Sequence, residues 1–334
     1  MKQRQLGKTG LRVSELALGG VFTSSLGKGL QETKQMIRRC IELGINYIDT
    51  APAYADSEKM VGKALKEIGA DAKNIVVSTK LGGRPEPFDP QDRKALLRSV
   101  EESRKFLGIE VIDILMIHEP DRPLQYNWWT NPQTCDGPVM EVLEKLKKEG
   151  VIRFTGLGGT TVAELSHFVR SGRFEVVLTA FNYNALFREA EHEVLPAAQT
   201  LGMGIVIGST LGQGALGRRY DDVIRSKPIW LSRPRQQQML ALYRFLDELG
   251  MSLPELSIRF VLSNTEISCV LVGPKTAEQV QESVTFAEKG PLPAEVLHQL
   301  DNIAAMVPFR PFEEPMILPF NKHYYGPGMA RLGW

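Results

Sequence analysis

The sequence is poor in several features that mark specialised classes of protein. Among 334 residues there are three cysteines, Cys40, Cys135 and Cys269, which cannot form a multi-bridge disulfide framework. We therefore expect a reducing, cytoplasmic compartment. Lys and Arg number 40 against 39 Asp and Glu, so the net charge is +1. That balance gives no electrostatic reason to expect a nucleic acid or an anionic membrane as partner.

Long apolar runs are also missing. No run approaches the ~20 residues that span a membrane, and the opening MKQRQLGKTG lacks the apolar core of a signal peptide. We therefore expect no membrane association. The five histidines form no His-x-His pair, so the sequence predicts no metal site; they are residues 118, 167, 192, 298 and 323. Hydrophobic residues make up 43%, which is enough for a sizeable core.

What the sequence does have is a regular alternation of short apolar segments and helical patterns. Eight strands are predicted at 13–18, 46–50, 75–80, 112–118, 152–157, 176–182, 204–209 and 269–273. Helices are predicted at 57–68, 91–107, 138–148, 187–201, 235–249 and 254–263. Continuous apolar strands are typical of a parallel sheet covered by helices. Eight strand–helix units predict a single α/β domain, residues 1–334, folded as a (β/α)8 TIM barrel.

Two segments stand outside this alternation. Gly7-Lys8-Thr9-Gly10 is typical of a turn between two short strands, which predicts an N-terminal β-hairpin at about 3–14 that plugs the barrel bottom. The stretch at about 308–334 is rich in Pro, Gly and aromatic residues. We predict an ordered C-terminal tail packed on the body, whose aromatic residues could close over the barrel mouth: Phe320, His323, Tyr324 and Tyr325.

Four titratable residues stand at the carboxyl ends of three neighbouring predicted strands. Asp49 ends the second strand and Tyr54 follows it, Lys80 ends the third and His118 ends the fourth. Taken singly, each is more often structural, as a helix cap, a half-buried ring or a snorkelling amine. Because all strands of such a barrel end at one face, where active sites lie, we expect the four side chains to meet there.

These residue types suit proton transfer at a carbonyl oxygen. A phenol has a pKa of about 10, too high to share a proton readily at neutral pH. An adjacent ammonium lowers that pKa, so Lys80 can tune Tyr54 while Asp49 holds Lys80 in place. A neutral His118 can donate a hydrogen bond to the carbonyl oxygen and orient it. The set predicts that Tyr54 protonates an oxygen as the adjacent carbon accepts hydride, or runs the reverse.

The segments YIDTAPAY, VVSTK and IDILMIH resemble the Asp–Tyr, Lys and His segments of the aldo-keto reductase superfamily, and the resemblance runs from about residue 4 to about 290. It implies an oxidoreductase that transfers hydride between a nicotinamide and an aldehyde, ketone or sugar. It also implies NADP(H) more than NAD(H), no metal, and a monomer or small homo-oligomer. Carried over, the catalytic residues are Asp49, Tyr54, Lys80 and His118.

A GxGxxG match at 212–217 lacks the acidic residue about 20 positions further on that a Rossmann site needs. The resemblance implies instead that this segment approaches the pyrophosphate and that 273–283 holds the adenosine end. There Lys275 favours NADP(H), and the helix near Thr276 offers its N-terminus to an anion. The implied cofactor-binding residues are Gly20, Val21, Asp49, Gly158, Gly159, Asn182, Ser209, Thr210, Leu211, Gly212, Gly214, Gly273, Lys275, Gln279, Glu282 and Ser283.

The chain departs from the family pattern around the nicotinamide. Gly158-Gly159 replace a common Ser-Asn, Ala180 replaces a Gln, and Gly208 replaces an aromatic residue. This glycine-rich pattern resembles relatives that oxidise free sugars at C1. The predicted substrate residues are Phe22, Tyr54, His118, Trp128 and Trp129. The two tryptophans either wall the pocket or anchor the long loop 119–138.

A second hypothesis is a non-catalytic regulatory or binding subunit of the same family, because regulatory relatives can retain the four residues. Turnover of a carbonyl or sugar distinguishes the two hypotheses. A metal-dependent hydrolase is disfavoured by the histidine pattern.

Overall fold

In the computed structural model, which describes residues 1–84, 86–311 and 314–320, eight parallel strands pair in chain order and close into one barrel. The last strand completes the ring by pairing with both its predecessor and the first. The barrel strands are β3 (Leu16–Gly19), β4 (Tyr47–Asp49), β5 (Val76–Leu81), β6 (Ile112–His118), β7 (Ile152–Gly159), β8 (Val176–Ala180), β9 (Gly204–Gly208) and β10 (Cys269–Val272). The predicted (β/α)8 barrel is confirmed.

Helices cover the outside of the barrel. Within the described ranges they are α1 (Leu30–Glu42), α2 (Ser57–Ile68), α3 (Arg93–Leu107), α4 (Pro138–Lys148), α5 (Ala163–Arg170), α6 (Val194–Thr200), α7 (Asp221–Arg225), α8 (Arg233–Leu249), α9 (Leu253–Ser263), α10 (Ala277–Glu288) and α11 (Ala294–Ala305). Their apolar faces and the outward faces of the strands form the larger of two cores.

The predicted helix at 187–201 is wrong over its first half. Only Val194–Thr200 is α-helical, after a single 3-10 turn at Glu189–Glu191. Ahead of it the chain forms a turn, in which the Asn184 side-chain oxygen accepts hydrogen bonds from the backbone N–H groups of Leu186 and Phe187, both at 3.0 Å. Asparagine favours such turns because its side chain hydrogen-bonds to the backbone that follows it.

The N-terminal hairpin closes the bottom of the barrel, as predicted. Its strands β1 (Gln3–Gln5) and β2 (Arg12–Ser14) pair antiparallel. Leu6 and Val13 are fully buried in the core that fills the barrel interior. The predicted strand 13–18 is in fact two strands. Residues 12–14 pair within the hairpin. The chain changes partner at Glu15, whose N–H donates to the Lys2 carbonyl oxygen at 3.0 Å.

Alternation along the strands decides which side chains face the barrel interior. Tyr47 of β4, Val76 of β5 and Met116 of β6 belong to the interior core, whereas Ile48 and Leu115 belong to the outer one. Successive residues of a strand point to opposite faces. The next inward positions toward the carboxyl ends are therefore Asp49, then Ser78 and Lys80 on β5, and His118.

The described part of the C-terminal tail packs on the body, as predicted. Glu314 forms an ion pair with Arg235, with Oε1 3.0 Å from Nε, and both side chains are buried. Phe320 stacks on Tyr220 at a centroid distance of 4.3 Å. His323, Tyr324 and Tyr325 lie outside the described residues.

Two further findings bear on the sequence expectations. The three cysteines are buried and unpaired. Within residues 1–84, 86–311 and 314–320, no helix has the length and apolar character needed to cross a membrane.

The contact between α2 and α3 yields a prediction about stability. A Cβ atom at Gly62 would lie 2.0 Å from the Phe106 carbonyl oxygen, so only glycine lets α2 come this close. Gly→Ala inside a helix ordinarily stabilises by about 1 kcal/mol. Here we expect Gly62→Ala to lower the free energy of unfolding by about 1–3 kcal/mol, because the helices must separate.

Urea unfolding measures this change in the free energy of unfolding. Lys66→Ala, at an exposed position of α2, is the control and should change stability by less than ~0.5 kcal/mol. Unchanged or increased stability of Gly62→Ala would contradict the packing argument.

Candidate active site

A buried ion pair lies at the centre of the barrel mouth. Lys80 Nζ donates to Asp49 Oδ1 at 2.6 Å and to the Thr50 carbonyl oxygen at 2.8 Å. Both charged side chains are almost completely buried, with exposed fractions of 1% and 2%. A buried charge is tolerated only when it is paired and hydrogen-bonded, and here both conditions hold. The ammonium is therefore fixed in position.

Sequence analysis missed the residues that support this pair. Ser78 donates its hydroxyl hydrogen to Asp49 Oδ2 at 2.5 Å, and Tyr47 OH donates to Ser78 Oγ at 3.0 Å. The signal was present, since Ser78 lies two residues before Lys80 and therefore faces the same interior. Both Asp49 oxygens are thus engaged, one by the lysine and one by the serine.

Tyr54 lies beside the ion pair in the loop between β4 and α2. Lys80 Nζ is 4.8 Å from the centroid of the Tyr54 ring. The His118 ring meets the Tyr54 ring edge-to-face, with centroids 5.8 Å apart and an interplanar angle of 82°. The loop is held by Asp56, whose Oδ1 accepts from the Ser25 N–H at 2.7 Å. The structure thus brings the four predicted catalytic residues together.

The electrostatics of the site keep Tyr54 and Lys80 protonated and His118 neutral. Burial raises the pKa of the Tyr54 phenol, and the nearby Lys80 charge opposes that rise without cancelling it. Burial also acts to lower the pKa of Lys80, but Asp49 and Tyr54 outweigh it, so that pKa is raised. Burial, helped by the Lys80 charge, lowers the pKa of His118 to about 3.

One sequence expectation needs correction on this point. We expected the ammonium to lower the phenol pKa below its ordinary value. Lys80 does act in that direction, yet desolvation of Tyr54 dominates and the net shift is upward. Tyr54 is therefore a protonated phenol at neutral pH, which is the form that can donate a proton to a carbonyl oxygen.

His118 carries an unused polar atom. Its Nδ1 is buried and has no hydrogen-bond partner among the described residues. A buried polar atom without a partner is uncommon in folded proteins, and at the barrel mouth it is available to a ligand. Together with its neutral state, this suits a ring that interacts with a ligand oxygen.

Two glycines pack directly against their neighbours beside these side chains. Gly158 pairs with His118 across β6 and β7, and a Cβ placed on it would lie 3.5 Å from Lys80 Cε. A Cβ on Gly208 would lie 3.2 Å from Leu178 Cδ2 and 3.3 Å from Ala180 Cβ. A larger residue at Gly208 would therefore displace its neighbours, and contact of either glycine with a nicotinamide stays a prediction.

The other residues predicted around the nicotinamide lie at or just after the carboxyl ends of β3, β7 and β8. Asn182 is buried and donates through Nδ2 to the Thr160 carbonyl oxygen at 2.8 Å. A Cβ on Gly159 would lie 2.8 Å from Asp121 Oδ1, so a side chain there would displace this carboxylate. A Cβ on Gly20 would lie 2.7 Å from the Asp49 carbonyl oxygen, whereas the next residue, Val21, is exposed.

The predicted pyrophosphate segment follows β9 and is a run of tight turns. The backbone is left-handed at Ser209 (φ 56°), Gly212 (φ 54°) and Gly214 (φ 102°). Glycine adopts this conformation without steric cost, and it lets a ligand approach the backbone. The hydroxyl of Thr210 is buried and has no hydrogen-bond partner among the described residues. The Leu211 carbonyl oxygen accepts from the Gly214 N–H at 2.9 Å.

The predicted adenosine-end residues meet the loop after β3. Lys275 Nζ lies 4.6 Å from the centroid of the Phe22 ring, and a Cβ on Gly273 would lie 3.6 Å from that ring. Gln279 Oε1 accepts from the Lys275 N–H at 2.7 Å. Ser283 donates through Oγ to the Gln279 carbonyl oxygen at 2.8 Å, and Glu282 is exposed on α10.

The N-terminus of α10 already has an acidic partner. Glu32 of α1 accepts a hydrogen bond from the Ala277 N–H at 3.0 Å. The anion that the sequence expected at this helix end would therefore meet a carboxylate as well as backbone donors.

The two tryptophans are held by the loop that follows His118. Trp128 is fully buried and donates through Nε1 to the His118 carbonyl oxygen at 2.9 Å. Trp129 donates to the Pro120 carbonyl oxygen at 3.0 Å and stacks on Phe168. Both indoles thus anchor the loop, and their contact with a substrate stays a prediction.

A polar cluster next to His118 escaped the sequence analysis. Glu119 Oε2 accepts from Thr160 Oγ1 at 2.7 Å and lies 3.0 Å from Arg122 Nε. Arg122 also contacts the Met316 sulfur of the C-terminal tail at 3.3 Å. No sequence motif relates loops after two different strands to the tail, so only the fold reveals this cluster.

The comparison with known families matches the geometry. A family model described as the aldo/keto reductase family matches residues 15–305, which include the whole barrel and the four residues at its mouth. The chain belongs to the aldo/keto reductase family. Enzymes of this family use nicotinamide cofactors. Among the described residues no cluster of three or more His, Cys, Asp or Glu could hold a metal ion.

Individual aldo/keto reductase relatives differ in what their names describe. L-galactose dehydrogenase of Arabidopsis thaliana is 29% identical over 84% of this chain and 86% of that protein. A candidate voltage-gated potassium channel subunit beta of Schizosaccharomyces pombe is 28% identical over 91% and 94%. Among solved structures, aldo-keto reductase AKR11C1 from Bacillus halodurans in its holo form is 28% identical, with a TM-score of 0.73 over 91% of this chain and 96% of that one.

The pKa of His118 predicts how stability depends on pH. In the unfolded chain this histidine gains a proton near pH 6.5, but in the folded chain only near pH 3. Its contribution to stability is therefore complete above pH 6.5 and is lost as the pH falls toward 3. When the pH is lowered from 6.5 to 4.5, the free energy of unfolding should fall less in His118→Gln than in wild type. We expect the difference to be roughly 2–3 kcal/mol, at 1.4 kcal/mol per pH unit.

Urea unfolding at the two pH values measures this difference. His298→Gln, at an exposed position of α11, is the matched control and should follow the wild type. Parallel pH profiles for His118→Gln and wild type would show that His118 is not held neutral in the folded protein.

Proposed function

We propose that this aldo/keto reductase is an active NAD(P)-dependent oxidoreductase with Tyr54 as its general acid and base. The observation that carries the proposal is the placement of a protonated phenol between a fixed ammonium and a neutral imidazole. A nicotinamide bound there would supply or accept the hydride at the carbon of a carbonyl or alcohol. The rest of the chemistry is proton transfer and orientation by side chains of this chain.

In the direction of reduction, Tyr54 donates its proton to the carbonyl oxygen, and the Lys80 ammonium stabilises the phenolate that remains. Asp49 and Ser78 keep that ammonium in place, so no reorganisation is needed when the charge develops. His118 is neutral and can donate a hydrogen bond that orients the carbonyl oxygen. In oxidation the phenolate takes the alcohol proton back.

For the cofactor we propose NADP(H) ahead of NAD(H). Lys275 supports this because its ammonium lies over the Phe22 ring, which also packs against Gly273, and a 2′-phosphate needs a positive charge beside it. The residues of 209–214 and 273–283 would hold the pyrophosphate and adenosine ends. Substrates would be small aldehydes, ketones or sugars, and we propose a cytoplasmic protein that acts as a monomer or small homo-oligomer.

Tyr54→Phe tests the proposal. Removing the hydroxyl deletes the proton donor but keeps the ring, so we expect kcat to fall by roughly 10²–10⁴-fold. The affinity for NADPH or NADH, followed by the change in nucleotide fluorescence, should stay within about twofold. Tyr183→Phe is the control, because it removes a hydroxyl that lies elsewhere, 3.4 Å from Asn264 Nδ2. It should keep the kcat and the nucleotide affinity of the wild type. A Tyr54→Phe protein with near-normal kcat would remove Tyr54 from its role.

The alternative is a non-catalytic regulatory subunit. It is favoured by one observation, the similarity to proteins named as potassium channel beta subunits in Schizosaccharomyces pombe and Arabidopsis thaliana. Wild-type protein that binds NADPH or NADH but turns over no aldehyde, ketone, alcohol or sugar would favour this alternative.

A further inference from the structure

The cluster beside His118 holds a carboxylate in an unusual position. Glu119 follows the last residue of β6, and its N–H donates to the Gly158 carbonyl oxygen at 2.7 Å. Its backbone is left-handed, with φ 49°. For a residue other than glycine this conformation costs of order 1–3 kcal/mol and tends to persist at functional sites. The strain fixes where the side chain leaves the barrel rim.

Among the described residues, the carboxylate is held through one of its two oxygens. Thr160 Oγ1 and Arg122 Nε both contact Oε2, and Oε1 takes part in neither contact. Thr160 is itself fixed, because its N–H donates to Asp121 Oδ2 at 2.9 Å and its carbonyl oxygen accepts from Asn182. The side chain of Glu119 is 16% exposed, so it is largely desolvated yet still reachable.

The carboxylate lies at the barrel rim next to the catalytic residues. Burial raises the pKa of the Glu119 carboxyl, and the Thr160 hydrogen bond and the Arg122 charge act against that rise. Glu119 directly follows His118, whose ring meets that of Tyr54, and its N–H bonds to Gly158, the residue that pairs with His118 on β7. A substrate whose carbonyl meets Tyr54 would therefore place its neighbouring atoms near Glu119.

This arrangement discriminates between kinds of substrate. An apolar substrate would strip the remaining water from a partly buried carboxylate oxygen and leave it without a hydrogen bond, which costs free energy. A substrate with hydroxyl groups next to its carbonyl would replace that water and donate to Oε1. Sites built to bind a hydroxyl group reject analogues that lack it far more strongly than apolar pockets discriminate by size.

We propose that Glu119, held by Thr160 and Arg122, is a specificity-determining residue that selects polyhydroxylated substrates of the sugar class through hydrogen bonds to Oε1. The inference rests on the proposed function and deepens it, since it narrows the substrate from carbonyl compounds in general to hydroxylated ones.

The test compares two three-carbon aldehydes that differ only in their hydroxyl groups, glyceraldehyde and propanal. Nucleotide oxidation is followed for the wild type and for two variants, with free aldehyde concentrations corrected for hydration. We expect wild-type kcat/KM to favour glyceraldehyde by at least ~100-fold. Glu119→Leu should lower that ratio at least tenfold, through a higher KM for glyceraldehyde with little change for propanal.

Glu119→Gln keeps the shape of the side chain and part of its hydrogen bonding. Its ratio of kcat/KM for glyceraldehyde over propanal should therefore lie between those of the wild type and Glu119→Leu. If circular dichroism shows that Glu119→Leu fails to fold, Glu119→Gln is compared with the wild type in its place. Glu110→Leu, at an exposed position just before β6, is the control and should match the wild type.

Two results would overturn the inference while leaving the proposed function intact. One is a wild-type ratio near unity with clear turnover of both aldehydes. The other is an equal loss with both substrates in the Glu119 variants. A wild type that oxidises no nucleotide with either aldehyde would instead count against the proposed function itself.

Discussion

The ion pair between Lys80 and Asp49 is the interaction on which the rest of the site depends. It places a full positive charge inside a barrel whose interior is otherwise largely apolar. Removing one member of such a pair leaves an uncompensated buried charge, which costs about 3–5 kcal/mol in proteins. The Ser78 hydroxyl donates to Asp49 and the Thr50 carbonyl oxygen accepts from Lys80, so both charged groups have further hydrogen bonds within the protein. The barrel thus maintains, at its mouth, an ammonium ready to stabilise a phenolate.

Most of this architecture could be predicted from the sequence because it follows from periodicity. Alternation along a strand fixes which residues face inward, so Asp49, Lys80 and His118 had to share the barrel interior once the strands were recognised. Ser78 obeys the same rule and could have been found by extending the pattern back by two residues. The hairpin at 3–14 was predictable too, since its turn is local.

Other features could not be predicted, because they depend on contacts between distant segments. The Glu119 cluster joins loops after β6 and β7 to the tail at Met316. The net direction of the Tyr54 pKa is a balance between burial and the Lys80 charge, and the extent of burial and the distance to the charge are both set by the folded structure. The helix expected from residue 187 begins only at Val194, after a turn that includes the Asn184 side chain and a 3-10 turn at Glu189–Glu191.

Lys80 is the group that opposes the rise in the phenol pKa caused by burial. The most direct measurement is an NMR titration of tyrosine labelled with ¹³C at Cζ, with the Tyr54 signal assigned by its loss in Tyr54→Phe. It would be recorded for the wild type and for Lys80→Met. We predict that the Tyr54 pKa lies above its ordinary value in the wild type and higher still in Lys80→Met. A Tyr54 pKa that is unchanged or lower in Lys80→Met would contradict the account.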